Sequence, residues 1–302
     1  MSEHSRFFRT DLAAERRRAD LSLPGTDFRE ESVGRFTVTR IKVGDAVSAR
    51  AIGKPIGKYL TVAFPPLEEV TEEERGDLLA ILVREIRSTL PRSPAGRVPT
   101  VLIAGLGNRA IVSDAVGPET VGRITATSHL SEGAPDLFRA LGCPAVATVA
   151  PGVLADTGME SSEILFGICR SLRPDYLIAI DYLIAIDSLA ARSADRLMTT
   201  VQISDAGIRP GAGIGNVRRA IDRPSLGVPV ISIGVPTVVE AATLVSDALS
   251  RAGLPEEDCE ALSDSRDRFF VTPKDVDLSV GRISRLLADA LSSLFSLPRE
   301  EK

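Results

Sequence analysis

Two short apolar runs, Tyr176 to Ile180 and Tyr182 to Ile186, stand out along the chain. Neither run contains a charged residue, and both are rich in Ile. A run of about five residues without alternation is the pattern of a strand covered on both faces, as in the middle of a parallel sheet. Upstream, Phe36 to Val43 alternates as FTVTRIKV, and Lys58 to Phe64 is a second strand candidate, with Gly53, Pro55 and Gly57 supplying the turns between them. Thr71 and Glu74 make a capping box ahead of a helix whose apolar positions include Leu78, Leu79, Leu82, Ile86 and Leu90, and Pro91 ends it. From Val98 the rhythm becomes strand, glycine turn and helix, repeated. Strands are predicted at Thr100 to Ala104, Ala145 to Val149, the Asp175 region, Thr199 to Ser204 and Val228 to Gly234, with helices following near Asp114, Ser161 and Pro236. This alternation predicts an α/β fold, a mostly parallel sheet with helices on both faces. Thr272 and Pro273 open a last packing helix carrying Val276, Val280, Ile283, Leu286, Leu287, Leu291 and Leu294. Residues 1 to about 30 mix charge with Pro and Gly and read as weakly ordered or peripheral.

The two apolar runs are copies of one hexapeptide, DYLIAI, at Asp175 to Ile180 and Asp181 to Ile186. Six is even, so either copy presents the same side-chain alternation to a sheet. A single strand holding both would be unusually long and would bury Asp181 in mid-strand. One copy is therefore expected in the sheet and the other displaced.

Composition narrows the function. A chain of 302 residues with 44% hydrophobic content sustains one large core or two smaller ones. The net charge of -5 argues against a nucleic-acid-binding surface. Cys143, Cys169 and Cys259 form no CxxC pair, which fits a reducing cytoplasm. No apolar run is long enough to cross a membrane, and the Arg-rich N-terminus has no signal-peptide core.

Candidate chemistry lies where strands end, because ligands of parallel sheets gather at the carboxyl edge. Gly105, Gly107 and Asn108 follow the first core strand, which reads either as half of a dinucleotide fingerprint or as a tight turn. Asp114 then reads as a helix cap or as a functional carboxylate. Asp187 follows the repeated strand and is the second such acid. Two carboxylates over one edge push their pKa values apart, so that one can act as base on water and the other as acid on a leaving amine. The segment Ile203 to Arg219 holds Gly207, Gly211, Gly213 and Gly215, flanked by Arg209, Arg218 and Arg219, a loop suited to contact with an anion or an acidic peptide. Asp156 and Glu160, in the Gly-rich turn from Pro151 to Glu163, read as caps or helix-face charges. With only His4 and His129 in the chain, and no GxSxG elbow, HExxH or CxxC, neither a serine or cysteine triad nor a zinc site has its parts. His129, after a Thr/Ser-rich helix end, is expected to be solvent-exposed or to act as a cap. No cofactor is expected. Competing readings are a nucleotide- or anion-binding regulatory module using the glycine loops, and a metal-dependent maturation peptidase using the same aspartates as ligands.

The stretches GLGN with SDAVGP, PGVLADTGMESSEILFG, LIAIDSLAARS, TTVQISDAGIRPGAGIGN, LGVPVISIGVPTVVEA, FVTPKDVD and RTDLAAE together resemble the germination protease of endospore-forming bacteria. The resemblance implies an atypical aspartic endopeptidase that degrades small acid-soluble spore proteins in the spore interior. It also implies a fold like that of the hydrogenase maturation endopeptidases with a small N-terminal α+β extension, a homotetramer, and a self-cleaving zymogen. By position in the motifs, the catalytic aspartates are Asp114 and Asp187, with Asp181 a second match for the latter. Self-cleavage falls between Asp11 and Leu12. The implied organisation is a propeptide of residues 1–11, a strand and helix region over 12–98 packed on the core, and a catalytic core over 99–302. Three departures from the family pattern are Val112 and Ser113 before Asp114, Arg209 in place of a histidine, and the second DYLIAI. That insertion implies a displaced Asp187 and impaired activity, since a misplacement of about 1 Å costs on the order of a hundredfold in rate.

Overall fold

The computed structural model describes residues 13–16, 24–91, 99–172, 176–181, 194–209, 218–241, 244–245, 248–249, 252–253 and 269–297. One eight-stranded sheet organises them. Its strands are β1 (Thr26–Val33), β2 (Phe36–Val43), β3 (Gly57–Ala63), β4 (Thr100–Gly105), β5 (Ala145–Val149), β6 (Tyr176–Asp181), β7 (Thr200–Ser204) and β8 (Val230–Gly234), in the spatial order β1-β2-β3-β7-β8-β6-β4-β5. β5, β4, β6 and β8 run parallel, as the strand and helix rhythm predicts. β7, β3, β2 and β1 then continue the same sheet antiparallel. The N-terminal strands thus share the backbone ladder of the core, joined to it through β3 and β7. A separate two-stranded ribbon pairs β9 (Val239–Glu240) with β10 (Phe270–Val271).

The helices are α1 (Ala46–Ile52), α2 (Glu72–Thr89), α3 (Val116–Val121), α4 (Leu130–Gly133), α5 (Pro135–Leu141), α6 (Leu154–Thr157), α7 (Ser161–Leu172), α8 (Arg223–Leu226) and α9 (Val276–Leu294). They cover both faces of the sheet. Alternation along β4 sends Val101 and Ile103 into a core with Leu78, Leu82 and Ile86 of α2 and Ile283, Leu287 and Leu291 of α9. Leu102 and Ala104 point the other way, against Leu165 and Cys169 of α7 and Leu226 of α8. Burial on both faces is why β4 reads as a continuous apolar run. The capping box of α2 forms as its sequence predicts: the Glu74 amide donates to Thr71 Oγ1 at 3.3 Å, and Glu74 Oε2 accepts from the Thr71 amide at 2.9 Å.

Three expectations are corrected. Residues 26 to about 30, within the stretch expected to be weakly ordered or peripheral, are ordered as part of the edge strand β1 (Thr26–Val33), which pairs with β2 at eight successive positions. β1 is an exposed edge held by its ladder and by charge, including Glu31 on Arg40 at 2.9 Å, so its hydropathy carries no trace of it. The last helix begins at Val276, with Asp275 at its N-cap, and not at Pro273; the Thr272 hydroxyl donates to the Thr237 carbonyl instead. After β8 the chain makes β9 before any helix.

The first DYLIAI copy is the one in the sheet. Leu177 to Ile180 pair with β4 and β8, and Asp181 ends β6 opposite Gly234. The second copy, with Asp187, lies outside the described residues.

A buried ion pair ties the antiparallel half to α2. Glu85 is 2% exposed and accepts from Arg40 Nη2 at 2.6 Å and Nε at 2.9 Å, with Arg84 Nε at 2.8 Å. Burial pushes the Glu85 carboxyl up, but the bonds from Arg40 and Arg84 outweigh it and hold it below its ordinary value. Its stabilising effect is therefore present above the usual glutamate range and is lost as pH falls below it. Glu85→Ala, which leaves Arg40 with only the half-exposed Glu31, is expected to cost roughly 2 kcal/mol in urea denaturation at pH 7. The cost should shrink toward pH 3.

Candidate active site

Glycine shapes the turn that leaves β4. A Cβ on Gly105 would stand 2.2 Å from the Gly117 carbonyl oxygen, so only glycine lets the start of α3 close onto the strand end. Gly107 has φ +120, open to glycine alone. The chain then passes through a 3-10 turn, Val112–Asp114, before α3. Asp114 does not open that helix as a cap: Ala115 holds the N-cap position without a side-chain bond. The Asp114 carboxylate turns back instead, and Oδ2 accepts the Asn108 amide at 2.9 Å. This bond uses an amide that a dinucleotide phosphate would need, which counts against the fingerprint reading of the turn.

Asp114 is 8% exposed, and its Oδ1 has no hydrogen-bond partner among the described residues. Burial is the main reason that its pKa is raised to about 7. The Asn108 bond and the charge of Arg218 pull it down, and the charge of Asp156 pushes it up. The turn is clamped from behind. The Thr237 hydroxyl, fully buried, donates to the Ser113 carbonyl at 2.8 Å, and Ser284 of α9 donates to the Val116 carbonyl at 3.3 Å.

The neighbouring strand also ends in an acid. Gly105 of β4 pairs with Ile180 of β6, and Asp181 is the next residue. Asp181 therefore ends the strand beside β4, and Asp114 lies in the turn that follows β4. Asp187, Asp11, Leu12, Gly211 and Gly213 lie outside the described residues. Gly207, read as part of a substrate loop, has φ +77 and presses on the Ile221 carbonyl, which lays Ile208 against Ile221 in an antiparallel bridge. Arg209 follows this bridge and is exposed. His129 is exposed, as expected. Among the described residues no three His, Cys, Asp or Glu side chains are grouped to hold a metal ion. No described helix is long and apolar enough to cross a membrane.

Against known proteins, residues 6–251 match the family model described as germination protease. The chain belongs to the germination protease family. Curated germination proteases of Caldanaerobacter subterraneus and Clostridium perfringens are 37% and 35% identical to it, with 94% of this chain and 93% and 94% of theirs covered. That of Oceanobacillus iheyensis is 37% identical over 80% of this chain and 66% of its own. As a member of the family the chain is a peptidase with a part in spore germination. Among solved structures, a NiFe hydrogenase maturation protease from Thermococcus kodakarensis aligns over 66% of this chain and 95% of its own, at 16% identity and a TM-score of 0.32. The α/β assignment of this germination protease rests on its own sheet.

Sequence reading missed the roles of Thr237, Asp156 and Arg218 at this site. A threonine in GVPTVVE and an aspartate in a short helix carry no local sign of what they meet in space. Thr237 is joined to the site by a hydrogen bond to the Ser113 carbonyl, and Asp156 and Arg218 act on Asp114 through their charge.

The raised pKa of Asp114 has a consequence for stability. Between pH 4 and 7 the folded state keeps a proton that the unfolded chain, at the ordinary 3.8, releases. The stabilisation is full below about pH 4 and is lost as pH rises through about 7. Asp114→Asn is expected to raise the melting temperature at pH 8, by a stability gain on the order of a few kcal/mol. The gain should fade toward pH 4. A melting-temperature series across that range checks it, and an unchanged difference at all pH values would mean an ordinary carboxylate.

Proposed function

We propose that the chain is an aspartic-type endopeptidase that degrades small acid-soluble spore proteins in the spore interior, with Asp114 and Asp187 activating water for attack on the peptide carbonyl. The observation that carries this reading is the Asp114 carboxylate: buried, and among the described residues held by one amide with one oxygen unpaired, in the turn after β4 and beside the strand that ends in Asp181. A carboxylate that titrates near neutrality exchanges protons readily in both directions at physiological pH. As the base it takes a proton from water; as the acid it returns one to the leaving amine. Asp114 fills one of these roles and the second aspartate the other. The DYLIAI repeat gives that second aspartate two candidates, since Asp181 ends the strand in the sheet while Asp187 keeps the SLAARS context downstream.

The proposal extends to a zymogen that cuts between Asp11 and Leu12, removing residues 1–11, and to a homotetramer as the working form. The segment just beyond the proposed cut supports the first part. Ala13 is 1% exposed among Ile41, Val43 and Tyr59, and its amide donates to Gln202 Oε1 at 2.9 Å.

Cleavage of a small acid-soluble spore protein tests the reading, using the chain with residues 1–11 removed. Asp114→Asn and Asp187→Asn are each expected to lower kcat at least a thousandfold while leaving folding intact, and chelator should have no effect. In a chain lacking one DYLIAI copy, higher activity than the parent would locate the impairment in the repeat. Inertness of every folded version would sink the peptidase mechanism, and loss of activity with chelator would transfer it to a metal. For the zymogen, mass spectrometry of the incubated full-length chain should show a product beginning at Leu12, and Asp11→Ala should abolish it.

A further inference from the structure

A cavity of about 180 Å³ opens on the edge of the sheet where the turn with Asp114 also lies. β3 runs antiparallel to β7 and β7 to β8, so the end of β3 and the start of β7 fall on the same edge as the ends of β8, β6 and β4. The walls of the cavity come from there. Pro66 and Leu67 follow β3, Leu197 to Thr199 precede β7, and Pro273 and Ser279 come from the first turn of α9 and the residues before it. Two of these walls are bonded to the segment that clamps the Asp114 turn. The Met198 amide donates to the Pro236 carbonyl at 2.8 Å, and the hydroxyl of Thr272, next to Pro273, donates to the Thr237 carbonyl at 2.9 Å. Thr237 is the residue whose own hydroxyl holds the Ser113 carbonyl. Cavity and carboxylate turn are thus joined through two residues, Pro236 and Thr237.

Size and lining limit what fits. Small-molecule sites measure roughly 300 Å³ or more, whereas an apolar cavity of about 150 Å³ holds a benzene ring. This one has room for a single large side chain. Its floor is apolar, formed by the buried Leu67, Leu197 and Met198. The charged lining residues are exposed at the rim and cancel: Glu68 bonds Arg282 at 3.1 Å, and Lys274 precedes Asp275. An anion therefore meets no net charge of opposite sign. Met198 adopts φ +58, a conformation uncommon for a residue with a side chain, and strain of this kind collects at ligand sites. We propose that this cavity is a specificity pocket of the peptidase, receiving one large apolar side chain of the substrate, leucine or larger, close to the bond that is cut. The proposal deepens the peptidase reading and rests on it. A substrate chain lying along the carboxyl edge past Asp114 passes the mouth of the cavity, and an apolar side chain that enters it leaves water while its backbone stays outside. Contact made there holds the scissile carbonyl in place. Alanine at the same position leaves the cavity partly empty and forfeits most of that contact.

The test uses the chain with residues 1–11 removed and a synthetic peptide of residues 9–16, in which Leu12 is the single large apolar side chain, beside the same peptide with Leu12→Ala. Ser279→Phe fills the cavity from α9, and Leu278→Phe adds the same ring at an exposed position outside it. The parent and Leu278→Phe should prefer the leucine peptide in kcat/KM by about tenfold, and Ser279→Phe should treat the two peptides nearly alike. A parent without the preference, or a folded Ser279→Phe that keeps it, overturns the proposal. So does a kept preference with altered self-association in light scattering, which would seat a second copy of the chain on this face. Should Ser279→Phe fail to fold, Ser279→Leu takes its place. Calorimetric binding of the two peptides to Asp114→Asn separates the pocket from the chemistry. The leucine peptide should bind about tenfold more tightly there, and adding Ser279→Phe should remove the difference. Equal affinity, or none for either peptide, overturns the pocket. If the parent cleaves neither peptide while the binding difference holds, the catalytic reading fails by itself and the pocket stands.

Discussion

A carboxylate taken out of water with a single amide for company is the constraint on which the rest of the site depends. Desolvation of Asp114 opposes its ionisation, and the Asn108 amide offsets only part of that cost. The surrounding fold is what makes the burial possible. Gly105 lets α3 close against the strand end, Gly107 turns the backbone so that the Asn108 amide faces inward, and Thr237 holds the Ser113 carbonyl from the other side. A carboxylate with an unpaired oxygen in such a place is poor for stability and useful for proton transfer.

The parallel half of the sheet and the antiparallel half have different tasks. β5, β4 and β8 carry loops at their carboxyl ends, and Asp156, Asp114 and Thr237 come from those three loops. β7, β3, β2 and β1 extend the sheet and bury it against α2, with Arg40 and Glu85 as the polar link in that contact. The extension also receives Ala13, so the N-terminal segment is joined to the same sheet through the Gln202 side chain of β7. The strand next to that residue, β8, pairs Gly234 with both Gln202 and Asp181, which places the anchor and the end of β6 on one row of the ladder.

The hexapeptide repeat shows how a sheet handles an insertion of even length. Either copy of DYLIAI offers the same alternation, so β4 and β8 can pair with the first or the second without exposing an apolar side chain. What changes is which aspartate ends the strand and how much chain follows it. Here the first copy is paired and Asp181 ends the strand. Side-chain alternation alone therefore does not choose between the copies.

Much of the fold was legible in the amino-acid sequence, because a strand buried on both faces and a helix buried on one leave periodic apolar traces. The parallel strands, α2 with its capping box, and the body of α9 all follow from such traces. The strand-end position of Asp114 was legible too, since glycine turns mark where strands stop. β1 was not, because an exposed ladder held by backbone bonds and ion pairs has no hydropathic signature. Nor was the environment of Asp114. Its caplike spacing pointed to a solvated helix start, and only the packing of α3, α9 and the loop at Thr237 puts it out of water. The sequence by itself determined which residues can carry charge and which segments must be strands. The tertiary structure decided that Arg218, Asp156 and Asn108 meet one carboxylate, because electrostatic environment depends on distance and burial, and neither is written in the spacing along a chain.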